Sequence, residues 1–481
     1  MAGDLVLGGG SATDLVPARP GTPGPPPAAG RPRATLPTPR QLARSPKGVA
    51  LWLAILGMGT LSFNVTRVGG FTVADLFFLA SAGAIVFELI TDTDQLLAPK
   101  RYRAGSQLVL VGALLLLTFE TISALESWAP LASMMVVVRM GWTTLLWFWL
   151  VRTVSRDREA YMSLIRAYQV SVVVSAIAGL LGYYGIAFVS TDWGDRQAAL
   201  TYHPGEFMNF MISGFWFFLM PTIMPDHGGV WPQRSNLKWG VSIPLLALAI
   251  FSTGSTSALL ALGASVLTVG GVALVAGSAR ARRRSPIATL ALVGLAAAGM
   301  FALATSHAPI VERLNGDTAG LNGSIESRER SNSAIVDEFD HYLVVGIGPF
   351  FASGAGSSVA ESQVGAGGVI HNGVHNMWLK TLYESGLVSL VGLWIIILAT
   401  ARQAYRLVLA TRNTALYPIA LACVGSLTCA VVSSQFGPTN YARHFWLPFA
   451  LISGLWAVRR HELDDLRAAE IDRMPAPRAR R

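Results

Sequence analysis

The sequence predicts an all-α polytopic integral membrane protein. It is 52% hydrophobic and only 14% charged, whereas soluble domains carry about 25% charged residues. Its apolar residues are gathered into runs of about 20, the length that a helix needs to cross a bilayer. Pro, Gly and charged residues separate these runs. Together these features predict about 12 transmembrane helices, with one large extracytoplasmic loop, carrying short helices, between the ninth and the tenth.

The segments follow one another in a simple order. Residues 1–47 are rich in Pro, Gly, Ala and Arg and have too few apolar side chains to fold, so they are predicted to be a disordered cytoplasmic tail. Transmembrane helices 1–9 are expected within 48–306, the catalytic loop at 307–375, helices 10–12 within 376–458 and a basic cytoplasmic tail at 459–481. The apolar runs themselves cover 49–64, 71–91, 106–124, 130–151, 168–190, 205–224, 238–253, 256–277, 286–306, 377–399, 414–434 and 444–458.

The positive charges predict the orientation. If the N-terminus is cytoplasmic, the inner loops and tails hold 29 of the 37 Lys and Arg residues, which is the bias of cytoplasmic segments. This indicates a multi-pass protein of a bacterial cytoplasmic (inner) membrane, with both termini in the cytoplasm. The net charge of +9 is then an orientation signal, and no nucleic-acid partner is predicted. Both cysteines fall within one apolar run, so they predict no disulfide framework.

Several ionisable residues lie within the predicted spans, among them Arg139, Glu120 and Asp75. Arg139 stands well inside the fourth span, where a charge costs about 2.5–3.5 kcal/mol on insertion scales. It therefore needs a partner, and Glu120 is the nearest plausible carboxylate in sequence; the pair could simply tie two helices together. Asp75 lies nearer a span end, where a side chain can reach the interface, and no role is assigned to it.

The large loop contains the residue types that are typical of a catalytic site. Arg328 and Arg330 precede a mixed segment at 334–342, whose pattern suits a short surface helix, and a turn at 346–349. The loop ends in two His-Asn pairs, of which His375-Asn376 opens the tenth span. A histidine at a span entrance, reached through a polar loop with arginines, indicates a catalytic site at the outer face.

This pattern resembles the O-antigen ligase and polysaccharide polymerase superfamily, whose members carry an Arg, then a Gly-x-Gly turn, then His-Asn-x-x-Leu-x-x-Leu-x-Glu-x-Gly entering a span. The matching positions are Arg328, Gly346, Gly348, His375, Asn376, Leu379, Leu382, Glu384 and Gly386. One position departs from the family, because Thr256 stands where members often have an arginine after a serine. Arg330, Arg443 and Arg67 are the candidates to supply that charge.

The resemblance implies metal-independent glycosyl transfer, with no cofactor, from a polyprenyl-diphosphate (undecaprenyl diphosphate) saccharide to an acceptor hydroxyl. The product would be a surface glycan or exopolysaccharide of the cell envelope; attachment of the glycan to another lipid or wall acceptor, by a ligase, is the alternative. The implied partners are the lipid-linked donor, the glycan acceptor, membrane lipid, and the flippase and chain-length regulator of the same pathway.

The chemistry of the motif residues fits these roles. His375 is the predicted general base, since a histidine accepts a proton near neutral pH. The predicted diphosphate ligands are arginines, which meet phosphate oxygens through two parallel hydrogen bonds. These are Arg328, as the leading ligand, with Arg330 and Arg443. Supporting roles are assigned to Asn376, Glu384, His371, Arg67, Arg139, Trp193 and Asp195.

Several alternatives stay open at this point. His371 and His375 could share a helix face as zinc ligands, although Gly373 lies between them and no His-Glu-x-x-His pattern is present. Trp193 and Asp195, in the loop after the fifth span, fit stacking and hydrogen bonding to a saccharide better than they fit a metal site. A twelve-span transporter is the rival class, but no internal repeat relates the two halves of the sequence.

Overall fold

The chain is described by a computed structural model, whose described residues are almost entirely helical. They are 46–63, 67–68, 71–91, 107–127, 129–184, 199–201, 204–224, 236–253, 255–276, 333, 336, 343–349, 376–437 and 442–473. Within these ranges, one short antiparallel pair joins β1 (Arg67–Val68) to β2 (Phe71–Thr72), with Arg67 opposite Thr72.

The helices follow the predicted apolar runs closely. They are α1 (Pro46–Gly59), α2 (Val73–Thr91), α3 (Gln107–Glu126), α4 (Pro130–Gly141), α5 (Trp147–Val154), α6 (Arg158–Tyr183), α7 (Pro204–Ile223), α8 (Asn236–Ser252), α9 (Thr256–Ala276), α10 (Met377–Thr411), α11 (Tyr417–Ser433) and α12 (Arg443–Arg473). A π-helical turn, Trp142–Leu146, joins α4 to α5 within one run, and a 3-10 turn, Ser434–Phe436, follows α11.

The helical membrane class is confirmed by the lengths and hydropathy of these elements. Seven helices of the described residues are long and apolar enough to cross a membrane, and two shorter apolar helices accompany them. The seventh and eighth runs form two separate helices, because α8 ends at Ser252 and α9 begins at Thr256. The run at 286–306 and the short helix at 334–342 fall largely outside the described residues, so the count of twelve spans stays a prediction.

Glycines allow the central helices to approach closely. A Cβ atom on Gly112 of α3 would lie 2.7 Å from the carbonyl oxygen of Gly392 in α10, and an added Cβ on Gly425 of α11 would lie 2.3 Å from the ring of Trp216 in α7. Helices in such close contact pack through van der Waals forces, which drive helix association where apolar burial gives no advantage over lipid. These contacts fix the register of α10 and α11 within the bundle.

Three helices differ from the predicted runs. Helix α6 begins at Arg158, ten residues before the predicted run at 168–190. The segment that starts α10 was expected to enter the membrane as one span, but its backbone breaks at Gly386, which has a φ of 81°. The last helix continues beyond the predicted end of its span at 458 to Arg473. Its later turns include Glu462, Asp464 and Asp465, so they are helical although they are too polar to lie in a bilayer.

Candidate functional site

The predicted site residues divide into those that the structure describes and those that it does not. Side chains are described for Arg443, Asn376, Glu384 and Arg139, and the backbone alone for Arg67. The remaining predicted residues lie outside the described ranges: His375, Arg328, Arg330, His371, Trp193 and Asp195. The described part forms two clusters, one around Arg443 and one around Glu384.

Arg443 is held by Asp75. Arg443 is the first residue of α12 and Asp75 lies in the first turn of α2. The arginine Nε donates to Oδ1 of Asp75 at 3.0 Å, and Nη2 donates to Oδ2. Each side chain is only 2% exposed. The expectation that Asp75 reaches the membrane interface is therefore wrong: its carboxylate is buried, and its arginine partner offsets the cost of burial.

Three further donors complete the surroundings of Asp75. The backbone N–H and the hydroxyl of Thr72 donate to Oδ2 at 2.8 and 3.2 Å, and Nε1 of Trp142 donates to Oδ1 at 3.1 Å. A carboxylate offers about four lone-pair positions. With the two bonds from Arg443 added, the acceptor positions of Asp75 are occupied, and its plane is fixed by three separate parts of the chain.

Other charged residues surround this pair. Arg139 and Glu206 both interact electrostatically with Arg443, and the neighbouring His444 lies within the same electrostatic field. The ring of His444 is buried against Phe210, with 4.8 Å between the ring centroids. Since Glu206 belongs to the first turn of α7, the N-termini of α2, α7 and α12 meet at one end of the bundle.

Asn376, the predicted neighbour of the catalytic histidine, begins α10. Its Oδ1 accepts hydrogen bonds from the backbone N–H groups of Trp378 and Leu379, at 2.9 and 3.2 Å, which is a standard helix cap. Asn376 thus caps the first turn of α10, directly after His375 in sequence.

The break at Gly386 turns the start of α10 back on itself. Trp378 and Trp394 are sixteen positions apart, so a continuous helix would separate them by about 24 Å. Their rings instead stack, with centroids 4.6 Å apart and planes at 14°. Residues 377–385, here called the leading half, must therefore pack beside the beginning of residues 387–411, the trailing half. The tenth run is thus not one straight span with the motif at its mouth.

The family glycines lie at this break. The N–H groups of Ile347 and Gly348 donate to the carbonyls of Tyr383 and Glu384, at 3.0 and 2.9 Å, and the N–H of Leu387 donates to Leu343 O at 2.8 Å. These bonds satisfy backbone groups that the broken helix would otherwise leave without partners. A Cβ atom at Gly346 would lie 2.0 Å from the carbonyl carbon of Glu384. The Gly-x-Gly element therefore docks the loop onto the break.

Glu384 belongs to a buried charged cluster. Its carboxylate lies 3.1 Å from Nζ of Lys380, and neither side chain is exposed. Glu120 of α3 interacts electrostatically with both residues, and the hydroxyl of Ser123 donates to the backbone carbonyl of Glu384. The described residues thus place Lys380 beside Glu384 and near Glu120, and Arg139 near Arg443, where the two guanidinium groups repel each other. The Arg139–Glu120 pair stays a prediction.

Sequence reasoning missed Asp75, Trp142 and Lys380. The Lys380–Glu384 pair had a signal, since residues four apart on a helix face each other. Asp75 had a local signal only for its bonds with Thr72, three positions earlier. Its pairing with Arg443 and Trp142 left none, because those residues are remote in the chain. As to metals, the described residues contain no group of three or more His, Cys, Asp or Glu side chains that could hold an ion.

Comparison with known proteins supports the family resemblance. Residues 241–394 match the family model described as O-antigen ligase, which is about a third of the chain and includes Arg328, His375 and Glu384. The pair Asp75 and Arg443 lies outside this match. Comparison with curated proteins gave no match. Residues 241–394 therefore constitute an O-antigen ligase-like domain within a multi-pass membrane protein.

Proposed function

We propose that this protein transfers a glycan from a polyprenyl-diphosphate-linked saccharide to an acceptor hydroxyl at the outer face of the cytoplasmic membrane, without a metal. The reaction polymerises a surface glycan or exopolysaccharide. The observation that carries the proposal is the O-antigen ligase match at 241–394, because it spans the motif from Arg328 to Glu384. Members of this family are glycan ligases and polymerases.

In this proposal His375 is the general base. A sugar hydroxyl is a poor nucleophile, and proton removal by a positioned histidine accelerates such a step by about 10²–10⁴. The leaving diphosphate is multiply anionic, so Arg328 and Arg330 bind it by paired, charge-assisted hydrogen bonds. Asn376 supports the base by capping the leading half of α10, directly after His375 in sequence. His371 and Arg67 are secondary polar contacts.

Arg443 supplies the charge that the family has at the position of Thr256. The hydroxyl of Ser257, next to Thr256, contacts the sulfur of Met208 in α7 at 3.5 Å. Two positions earlier in α7, Glu206 interacts with Arg443. The place of the missing arginine and the guanidinium of Arg443 thus both flank the first turns of α7, which favours Arg443 over the other two candidates. Arg139 adds positive charge to the same region.

The remaining parts of the proposal concern the glycan and the pathway. Trp193 and Asp195 bind the saccharide, by stacking and by hydrogen bonding. The donor arrives through a flippase, and a chain-length regulator sets the size of the product. Transfer to a different lipid or wall acceptor, by a ligase, is the second candidate, since the same base and diphosphate ligands serve both reactions.

Deletion of the gene in its host tests the function and separates the two candidates. If the protein is a polymerase, lipid-linked glycans accumulate as single repeat units. If it is a ligase, long unattached chains accumulate. Wild-type lipid-linked and surface glycans in the deletion strain would contradict both enzyme candidates and favour the transporter.

Point variants test the predicted roles in the complemented strain. His375→Ala removes the base, so transfer should fall by about 10²–10⁴ while the amount of inserted protein stays the same. Arg328→Lys keeps the charge but loses the planar fork, and it should also reduce transfer strongly. His371→Ala is the matched control and should be mild. Loss of transfer in His371→Ala, with normal transfer in His375→Ala, would show that the motif is assigned in the wrong register.

The proposed topology has its own test. Single cysteines near Gly356 and Ser190 should react with a membrane-impermeant thiol reagent in intact cells. Cysteines near Ser285 and Arg402 should not, because positive charge is concentrated there. Labelling at Ser285 from outside would refute the arrangement that places the loop and its motif outside the cell.

A further inference from the structure

Arginines from three helices gather at the end of the bundle that lies opposite to Arg443. Arg152 lies in the last turn of α5, Arg158 begins α6 and Arg460 lies on α12. Arg460 is seventeen positions after Arg443 on the same helix, which corresponds to a rise of about 25 Å. Since the apolar part of a bilayer is about 30 Å thick, this end lies near the opposite membrane surface.

We propose that this end of the bundle binds the phosphate group of an anionic phospholipid between Arg152 and Arg460. The ligand is a phosphodiester headgroup with one negative charge, as in phosphatidylglycerol. With the predicted topology, the lipid belongs to the cytoplasmic leaflet, opposite to the predicted catalytic loop. Nothing in this site depends on the proposed glycan transfer, because neither the motif nor a lipid-linked donor takes part in it.

The guanidinium of Arg152 lacks a hydrogen-bond acceptor, within the described residues, for its buried Nη1. A buried donor without an acceptor costs about 1–3 kcal/mol, and more when the group is charged. The residue as a whole is half-buried, so its side chain is open on one side to the membrane surface. A phosphate on that side would neutralise the charge of the whole guanidinium, whichever nitrogen it contacts.

The charge that acts on Arg152 has the same sign as its own. Arg152 interacts electrostatically with Arg460, and among the described residues it forms no ion pair with a carboxylate. By contrast, Arg156, four positions later, pairs with Glu88 at 3.4 Å. Two guanidinium groups close together repel each other, and they do so most strongly where water is scarce. An anion bound between Arg152 and Arg460 would turn this repulsion into attraction for both groups.

The carboxylate of Glu462 on α12 does not balance these charges. It acts electrostatically on Arg158, but its Oε2 already accepts a hydrogen bond from Nη1 of Arg459 at 2.9 Å. Nε of Arg459 donates to the carbonyl oxygen of Ala410 at 2.9 Å, which fixes this pair against the end of α10. In the described interactions of the cluster, the four arginines at 152, 158, 459 and 460 therefore share one carboxylate. This excess of positive charge distinguishes the cluster from the balanced one around Arg443.

Two simpler explanations leave Arg152 unsatisfied. A cation in the last turn of a helix is favoured by the helix dipole by about 0.3–1 kcal/mol, but the dipole provides no acceptor for a buried N–H group. Asp464 and Asp465 lie further along α12, but both are exposed, and no described ion pair joins either of them to Arg152 or Arg460. Basic pockets between membrane helices at the cytoplasmic surface bind anionic headgroups, and a phosphate supplies both the acceptor and the charge.

Thermal unfolding of the purified full-length protein in detergent tests the inference, with phosphatidylglycerol as the added lipid. This lipid should raise the unfolding temperature of the wild type, because a ligand that binds the folded state stabilises it. Phosphatidylcholine, in which a choline cation balances the phosphate, should raise it much less. Arg152→Gln and Arg460→Gln should each weaken binding of phosphatidylglycerol by about fivefold, which corresponds to about 1 kcal/mol.

Arg406→Gln is the matched control. It removes an exposed arginine of α10, one turn before Ala410 and thus at the same end of the bundle. This variant should bind phosphatidylglycerol as the wild type does, because Arg406 is no part of the cluster.

Arg460→Glu should have an effect that a purely structural role of Arg460 does not predict. It places a carboxylate beside Arg152, so the lipid-free protein should unfold at a higher temperature than the wild type. The stabilisation by phosphatidylglycerol should be lost at the same time. If Arg152→Gln fails to fold, Arg460→Glu decides the question, because Arg460 is exposed.

Three outcomes would overturn the inference. Equal stabilisation by phosphatidylglycerol and phosphatidylcholine would mean that the negative charge of the lipid is not recognised. Equal stabilisation by inorganic phosphate, without added lipid, would indicate a site for free phosphate instead. If Arg406→Gln weakens binding as much as Arg152→Gln, the lipid is attracted by the general positive charge of this surface, and the pair of Arg152 and Arg460 has no special role.

Discussion

Gly386 should be among the least replaceable residues of the chain. It has a φ of 81° and a ψ of 176°, a conformation that is essentially confined to glycine and costs other residues on the order of 1–3 kcal/mol. A Cβ atom there would also lie 2.1 Å from the carbonyl oxygen of Val344. Relief of that contact requires the loop to move away, which would break the bond from Leu387 N to Leu343 O.

Gly386→Ala should therefore lower the free energy of unfolding by about 2–4 kcal/mol, when the loss of one hydrogen bond, about 1 kcal/mol, is included with the backbone strain. Thermal unfolding of the detergent-solubilised protein would measure the effect. Gly263→Ala is the control, since an added Cβ at this position of α9 has no neighbour within 4 Å. It should leave the unfolding temperature unchanged or raise it slightly, because alanine is the better helix former.

One outcome of comparing the two variants would contradict this prediction. If Gly386→Ala unfolds at the same temperature as Gly263→Ala, then the chain does not break at residue 386. The docking of the loop through Gly346 and Gly348 would then need another explanation.

Two further predictions concern the same region. In a variant without the native cysteines, cysteines introduced at positions 378 and 394 should be cross-linked by a short bifunctional thiol reagent. Such a reagent could not bridge the roughly 24 Å that separate these positions in a straight helix. Failure to cross-link them would refute the fold-back at Gly386. Lys380→Met should destabilise the protein by about 3–5 kcal/mol, since it removes the ammonium group that lies 3.1 Å from the buried carboxylate of Glu384. Lys380→Met combined with Glu384→Leu should recover most of that loss in the same thermal assay, and an equal or greater loss in the double variant would contradict the pairing.

Hydropathy could predict where the helices lie, because an apolar run long enough to span a membrane can adopt few structures other than a helix. It could not predict the end of α12 at Arg473, because its last turns are helical without being apolar. Nor could it predict the fold-back of α10. A glycine within an apolar run is usually tolerated in a helix, and the stacking of Trp378 on Trp394 became visible only in three dimensions.

The site was predictable in part, for a similar reason. Arg443 could be named from its charge near a span end, and Glu384 from the family pattern. The partner of Arg443 could not be named, since Asp75 is 368 positions away in the chain and no local periodicity connects them. Glu384, a supporting residue in the family pattern, forms an ion pair with Lys380 within the leading half of α10 and lies near Glu120.

The charges around Arg443 set a condition on how a diphosphate can bind. Two guanidinium groups, of Arg139 and Arg443, lie near two carboxylates, of Asp75 and Glu206, so the formal charge of these four groups is zero. This balance allows them to be buried without a ligand. A diphosphate would make the region strongly negative, and in a medium of low dielectric constant that charge needs additional cations close by. In the proposed mechanism these come from the outer loop, so Arg328 and Arg443 would bind the donor from two sides, and neither would suffice without the other.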